Sequence, residues 1–506
     1  MLRVRDSAGR RRATTRWGPV LLIRQTLLYL PAQIVAPLVA FASVLIWAHL
    51  LTPADLGVVT LLVAIQEICY AAFFGWWGLY TLRFIAGFTT PDDRRTYLRT
   101  ETVAMALSTV IEILAVIPIL YFSLKARMTP AFGLLAVLFV LTRSFNLYCA
   151  DRARAETRVL LYTLVQTVGP VFGFCVGLAG IWIFGPSPYP VVAGFLAAQG
   201  LGVALSIGMS DFCRGLGRPS LSMVKQAIAF GGTQTTSQLL AILAMNAPRF
   251  IVSHVLGLAA LGRFSVGYSL GIRASSFAVS LVTAGSYPLV VRKMQTEGQE
   301  AAFKQLSQNM AMVALVVAPV AFGLLGVSRS IVDLLVAPQY REVTYLVLPL
   351  ATLGGLFRYL RAHTSDQVFL LSLRPGFGTI VAACDIVIAV ASAYIGVRLM
   401  GASGGAFGPM VSGLATFTVS FLLSRFVFGY RAPLWIFARI LVAAAMMGGV
   451  IYVLPEARNI PVLVAYVALG GLLYSAAVFF AMPTQARALR QTLASRFKRK
   501  PPKVTP

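Results

Sequence analysis

Long apolar runs dictate what this chain can fold into. Fourteen of them alternate with short turns marked by Pro, Gly and charged residues. They lie near 26–51, 56–82, 102–123, 131–150, 159–184, 190–210 and 226–253, then near 262–290, 308–328, 343–362, 376–399, 405–428, 433–454 and 461–482. A helix that spans a bilayer needs about 20 mostly apolar residues, so fourteen spans consume most of the 58% of the chain that is hydrophobic. Only 12% of the residues are charged, against about a quarter in soluble proteins. That balance argues against a soluble enzyme. It argues equally against a nucleic-acid partner, because a net charge of +26 would need a polar surface to sit on. The expected fold class is an all-α polytopic membrane protein with about 14 transmembrane helices.

The cations set the expected orientation. An even number of spans puts both termini on one side. Of the 43 Lys and Arg residues, 32 fall in the two tails and the even-to-odd connections, among them Arg152, Arg358 and Arg361. Seven fall on the opposite side, and four lie within spans: Arg143, Arg249, Arg273 and Arg439. Cytoplasmic loops carry the excess of Lys and Arg, so both termini are expected in the cytoplasm of a bacterial cell, with the chain in the inner membrane. The basic tails, 1–25 and 484–506, then face anionic inner-leaflet lipid.

An internal repeat divides the spans. AHLLTPADLG, containing His49, aligns without a gap to SHVLGLAALG, containing His254, at an offset of 205 residues. The alignment pairs Leu51 with Leu256, Ala54 with Ala259, Leu56 with Leu261 and Gly57 with Gly262. The offset equals six helices, so helices 1–6 and 7–12 read as two copies of one orientation. Parallel halves of this kind are a transporter architecture, with the site at their interface. The expected organisation is an N-lobe at 26–215, a C-lobe at 216–430 and helices 13–14 at 431–483.

Three segments carry a family resemblance. APLVAFASVLIWAHLLTPADLGVVTL has a first helix and a Thr-Pro-x-x-Leu-Gly turn into the second. NAPRFIVSHVLGLAALGRFSVGYSL and IVDLLVAPQYREVTYLVLPL match the patterns of the helix 7–8 hairpin and of the approach to helix 10. The chain thereby resembles the multidrug/oligosaccharidyl-lipid/polysaccharide exporter superfamily, especially its Wzx-like polysaccharide transporters. It departs from the pattern at Pro248, where an acid usually precedes the arginine, here Arg249. The resemblance implies a V-shaped pair of lobes, with helices 1, 2, 7 and 8 around a cavity that opens alternately to each side. The implied substrate is a lipid-linked oligosaccharide, with a polysaccharide polymerase or export machinery as partner. A peptidoglycan-precursor flippase and a cation-coupled multidrug exporter remain rivals within the superfamily. A membrane polymerase or ligase is the rival from another class, although the longest outer loop, near 329–342, is short for a catalytic one.

The candidate site is read from charges at bilayer depth, each of which costs about 2.5–3.5 kcal/mol on insertion scales. The repeat places Glu67 on helix 2 beside the position related to Arg273 on helix 8, both about 15–17 Å inward of their paired glycines. They form either a lumen site, in which Arg273 attracts a diphosphate and Glu67 modulates it or carries a proton, or a plain salt bridge. Glu112 and Arg143 lie at similar depth and are expected to pair within the N-lobe, with Arg143 a further cavity candidate. Arg249, near the outer end of helix 7, either receives phosphate or snorkels to headgroups. Arg24 either attracts substrate at the inner end of helix 1 or anchors lipid. Asp385 on helix 11 either binds a coupling ion or pairs with an arginine. Arginine suits a diphosphate because its planar fork donates paired hydrogen bonds and keeps its charge.

Other motifs are absent. The five cysteines show no disulfide or metal spacing, and no phosphate loop, HExxH or nucleophile elbow occurs. Neither a cofactor nor catalysis is expected.

Overall fold

In the computed structural model of the chain, the described residues are 35–124, 128–212, 218–283 and 286–481. They contain helices and no strand. Among them, eleven helical stretches are long and apolar enough to cross a membrane. One of these, Gly376–Phe426, runs for 51 residues and is divided by a tight turn at Gly401–Ala406, so it supplies two crossings. A shorter apolar helix and a Ser/Gly-rich one bring the long helices to fourteen.

The N-lobe holds α1 (Ala36–Leu50), α2 (Pro53–Gly87), α3 (Pro91–Leu124), α4 (Pro130–Ala155), α5 (Val159–Phe184) and α6 (Pro188–Met209). The C-lobe holds α7 (Leu221–Leu256), α8 (Leu258–Thr283), α9 (Gln299–Gly326), α10 (Pro338–His363), α11 (Gly376–Met400) and α12 (Phe407–Phe426). Helices α13 (Leu434–Val453) and α14 (Ile460–Ala481) follow and pack beside α9. Proline at the first helical position sets several of the starts, since its missing N–H would be unpaired there anyway. Thr52 caps α2 and Thr129 caps α4, each accepting a backbone N–H at 3.2 Å just before such a proline.

Three expectations change in detail. The eighth span ends at Thr283, and a separate helix, Ser286–Thr296, follows where one continuous run was expected. The expected outer loop near 329–342 folds largely as the short helix Ser328–Leu335. Arg152, Arg358 and Arg361, counted with the loops, lie in the last turns of α4 and α10, where they are buried. Arg24 and both basic tails lie outside the described residues.

The repeat is visible in packing. A Cβ on Gly57 would lie 2.0 Å from the carbonyl oxygen of Leu258, and a Cβ on Gly262 would lie 1.8 Å from that of Pro53. Pro53 and Leu258 are themselves related by the 205-residue offset, so the contact is reciprocal, as a two-fold between the lobes requires. Only glycine allows α2 and α8 to approach this closely. Gln339 and Tyr340, at the start of α10, donate to the Leu51 carbonyl at 3.3 and 2.9 Å and close the same end. Toward the other end, α2 packs on α7: Tyr80 donates to Gln226 at 3.1 Å, and Phe84 meets Phe230 edge-on at 5.1 Å.

Candidate functional site

Where α1 faces α8, a cavity of about 400 Å³ opens between the lobes. Ser43 of α1, Gln166 of α5 and Ser276 and Ser280 of α8 line it, together with two cations, Arg143 of α4 and Arg273 of α8. Arg273 is exposed to this space. Among the described residues it has no carboxylate within 4 Å and no hydrogen-bond partner. It sits within electrostatic reach of Arg249, Glu67 and Arg143. An uncompensated guanidinium deep in an apolar body is tolerated because it faces a cavity, and it leaves all five donors free for an anion.

Glu67 is taken by α7 and not by Arg273. Asn246 donates to its Oε2 at 3.1 Å, and Nη1 of Arg249 lies 3.7 Å from the same oxygen. Arg249 also donates to Asn246 at 2.6 Å and stacks over Tyr268 of α8 at 5.0 Å. Its side chain is 12% exposed, so it reaches inward instead of snorkelling toward headgroups. The Glu67–Asn246–Arg249 cluster therefore ties the N-lobe to the C-lobe beside the cavity. Just beyond Glu67, α2 loosens into a π-helical turn at Tyr70–Phe74, a distortion frequent at functional sites.

Arg143 does not pair with Glu112. Its Nε donates to Oε1 of Gln66 at 2.6 Å, and Glu112 instead accepts from Ser144 at 2.7 Å. Asp385 has its partners on α10: Oδ1 is 2.8 Å from Arg358 and Oδ2 is 3.0 Å from Arg361. Ser412 and Thr416 of α12 accept from the same arginines, and Asp366 holds Arg361 at 3.2 Å. Each oxygen of Asp385 thus accepts from one guanidinium group. Arg439 donates to the Ala481 carbonyl at 2.8 Å and lies over Trp435, a structural position at the α13–α14 end. His49 and His254 are exposed at helix ends away from the cavity lining. No cluster of three or more metal-ligating side chains occurs among the described residues.

Gln66, Asn246 and Tyr268 complete the site, and charge counting passed over all three. The available signal was an amide adjacent to Glu67 and another three residues before Arg249, each inside an apolar helix.

Against known families, the profile of the family described as polysaccharide biosynthesis protein matches residues 46–345. The chain belongs to that family. No curated protein matches it by sequence. Among solved structures it is similar to lipid II flippase MurJ in an inward closed conformation, with a TM-score of 0.67 at 14% identity over 90% of this chain and 98% of that one. It is also similar to an inward-facing multidrug resistance MATE family transporter of the MOP superfamily, with a TM-score of 0.63 at 15% identity over 80% and 98% of the two chains. The Vibrio cholerae MATE transporter VcmN, solved as a mutant, aligns with a TM-score of 0.52 at 15% identity over 81% and 98%. These likenesses give the fold. The chain is a helical multi-pass membrane protein of the polysaccharide biosynthesis family, with the fold seen in those structures.

Proposed function

We propose that this protein is an inner-membrane flippase that moves a lipid-linked oligosaccharide, carried on a polyprenyl diphosphate, during polysaccharide or lipopolysaccharide assembly. The observation that carries this reading is the pair Arg143 and Arg273 in the cavity between α1 and α8, the latter without a carboxylate partner. Two guanidinium groups suit a diphosphate and repel a cationic drug. The cavity volume falls within the range of about 300–1,000 Å³ typical of ligand sites, enough for the diphosphate and its first sugar. The family match to polysaccharide biosynthesis favours this substrate over a peptidoglycan precursor.

Alternating access follows from the lobe arrangement. The Gly57–Gly262 contact closes the α1–α2 end, so substrate enters through the opening between α1 and α8, from the side we take as cytoplasmic, with both termini, on the excess of Lys and Arg there. The lobes are residues 26–215 and 216–430, with 431–483 an added pair. Arg24, ahead of α1 in the sequence, attracts the anion, and the basic tails hold inner-leaflet lipid. The exported glycan passes to a polymerase or export machinery.

Complementation of a deletion strain tests the reading. Arg273→Ala should abolish polymer at wild-type protein level and leave lipid-linked glycan on the cytoplasmic leaflet, with Arg273→Lys restoring part of the activity. Full activity of the alanine variant would overturn the site. Accumulation of exported but unpolymerised glycan in the deletion strain would indicate a polymerase or ligase.

A further inference from the structure

A continuous hydrogen-bonded chain joins the cavity to a buried acid. Arg143 Nε donates to Gln66 Oε1 at 2.6 Å, Gln66 Nε2 donates to Ser144 Oγ at 3.3 Å, and the Ser144 hydroxyl donates to Glu112 Oε1 at 2.7 Å. Every donor points the same way, so the bonds polarise one another toward the carboxyl group. Gln66, Ser144 and Glu112 are fully buried. The second oxygen of Glu112, Oε2, is buried without any hydrogen-bond partner. Among the described residues no cation lies within 4 Å of either oxygen. A buried carboxylate with one hydroxyl donor is costly, and binding a proton removes the cost. Arg143 stands at the far end of the same chain of hydrogen bonds.

The neighbours of Glu112 leave it in that role. Helix α2 presents Cys69, which senses its charge, and, beyond Gln66, Glu67, which is already held by Asn246 and Arg249. Helix α4 presents Ser144 and Arg143. Across the groove that Ser108 and Ile111 of α3 form with α7, the facing residues Thr235, Thr236 and Leu239 are neutral. On α3 itself the nearest acid is Glu101, three turns away and bonded to Arg152 at 2.9 Å.

We propose that Glu112 is a proton-binding site linked to anion binding at Arg143 through Gln66 and Ser144. The inference rests on reading the Arg143–Arg273 cavity as the anion site. An anion on Arg143 cancels the positive charge at the head of the chain and competes with Gln66 for the guanidinium. Glu112 then takes up one proton from water, and no covalent bond changes. Linkage is reciprocal, so protonation of Glu112 tightens anion binding.

The test uses the full-length protein in nanodiscs with citronellyl diphosphate N-acetylglucosamine, a short-chain diester whose phosphates do not titrate near neutrality. Calorimetry in buffers of different ionisation enthalpy reads affinity and proton uptake together. Affinity of the wild type should rise about fivefold or more from about pH 8 to about pH 6, with net proton uptake on binding. Glu112→Gln should bind at the wild-type acid-limit affinity at both pH values, with no uptake. Ser144→Ala, nearly isosteric, cuts the chain while keeping the acid and should flatten the pH dependence, which covers the case in which the Glu112 variant does not fold. Probe binding whose pH dependence is absent in the wild type, or survives both substitutions, overturns the linkage and leaves the cavity reading standing. No binding by the wild type overturns the cavity reading, and the linkage with it.

Discussion

The reciprocal contact of Gly57 and Gly262 makes a demanding prediction about conformational balance. A Cβ on Gly57 would lie 2.0 Å from the Leu258 carbonyl oxygen, 1.4 Å short of ordinary contact at 3.4 Å. The obstacle is helix backbone, which cannot swing aside as a long side chain can. In Gly57→Ala, α2 and α8 must therefore separate by about that distance, at the overpacking cost of about 1–3 kcal/mol. The strain exists only while the α1–α2 end is closed. It shifts the closed-to-open ratio by about 5- to 150-fold toward the state opened at that end. Gly262→Ala should act with similar size, because its Cβ meets the repeat-related Pro53 carbonyl at 1.8 Å. One separation relieves both clashes, so the double variant should cost clearly less than the sum of the singles.

The assay is thiol labelling of Leu51→Cys in a chain whose five native cysteines are replaced by alanine. Leu51 is 1% exposed, and its carbonyl is held by Gln339 and Tyr340 across the lobes. The labelling rate should be low in the glycine background and rise with each alanine variant. Unchanged labelling in both single variants, at normal protein level, would refute the contact as the seal of that end. Additive effects in the double variant would refute the shared two-fold contact.

Two further outcomes follow from the charge networks. Asp385→Asn leaves Arg358 and Arg361 buried without their shared carboxylate and should cost about 3–5 kcal/mol, seen as a lowered thermal midpoint in detergent; a variant of unchanged stability that has lost transport would point to ion coupling instead. In the connection after α6, Asp211 is partly desolvated, but hydrogen bonds from Arg152 and Arg94 lower its carboxyl from 3.8 to about 2. Its folded-state value is depressed, so its stabilisation is complete above about pH 4 and fades only as pH falls toward about 2. Asp211→Asn should thus lower the thermal midpoint at neutral pH, and the gap to wild type should narrow only in that acid window. A gap that closes by pH 6 would refute the assignment.

Most of the fold was legible because one-dimensional signals carry it. Apolar runs of bilayer length, proline at helix starts and the repeat at His49 and His254 need no knowledge of neighbours. The repeat even named the glycines that prove to meet. The site was legible only as a set of depths. Counting residues along helices gives Glu67, Arg143, Arg249 and Arg273 a depth each, but depth does not fix azimuth, and partners are chosen by azimuth. The offset relates Glu67 to Ile272, next to Arg273, yet a two-fold relates positions on different helices without making them touch. The residues that do touch at the two-fold lie on it, as Gly57 and Gly262 do, and Glu67 is free to turn toward α7. Its own neighbours there, Asn246 and Arg249, lie one helical turn apart, so a single face of α7 captures it. Arg273 is then left without a carboxylate by the geometry of the repeat itself, and that is what makes it available to an anion.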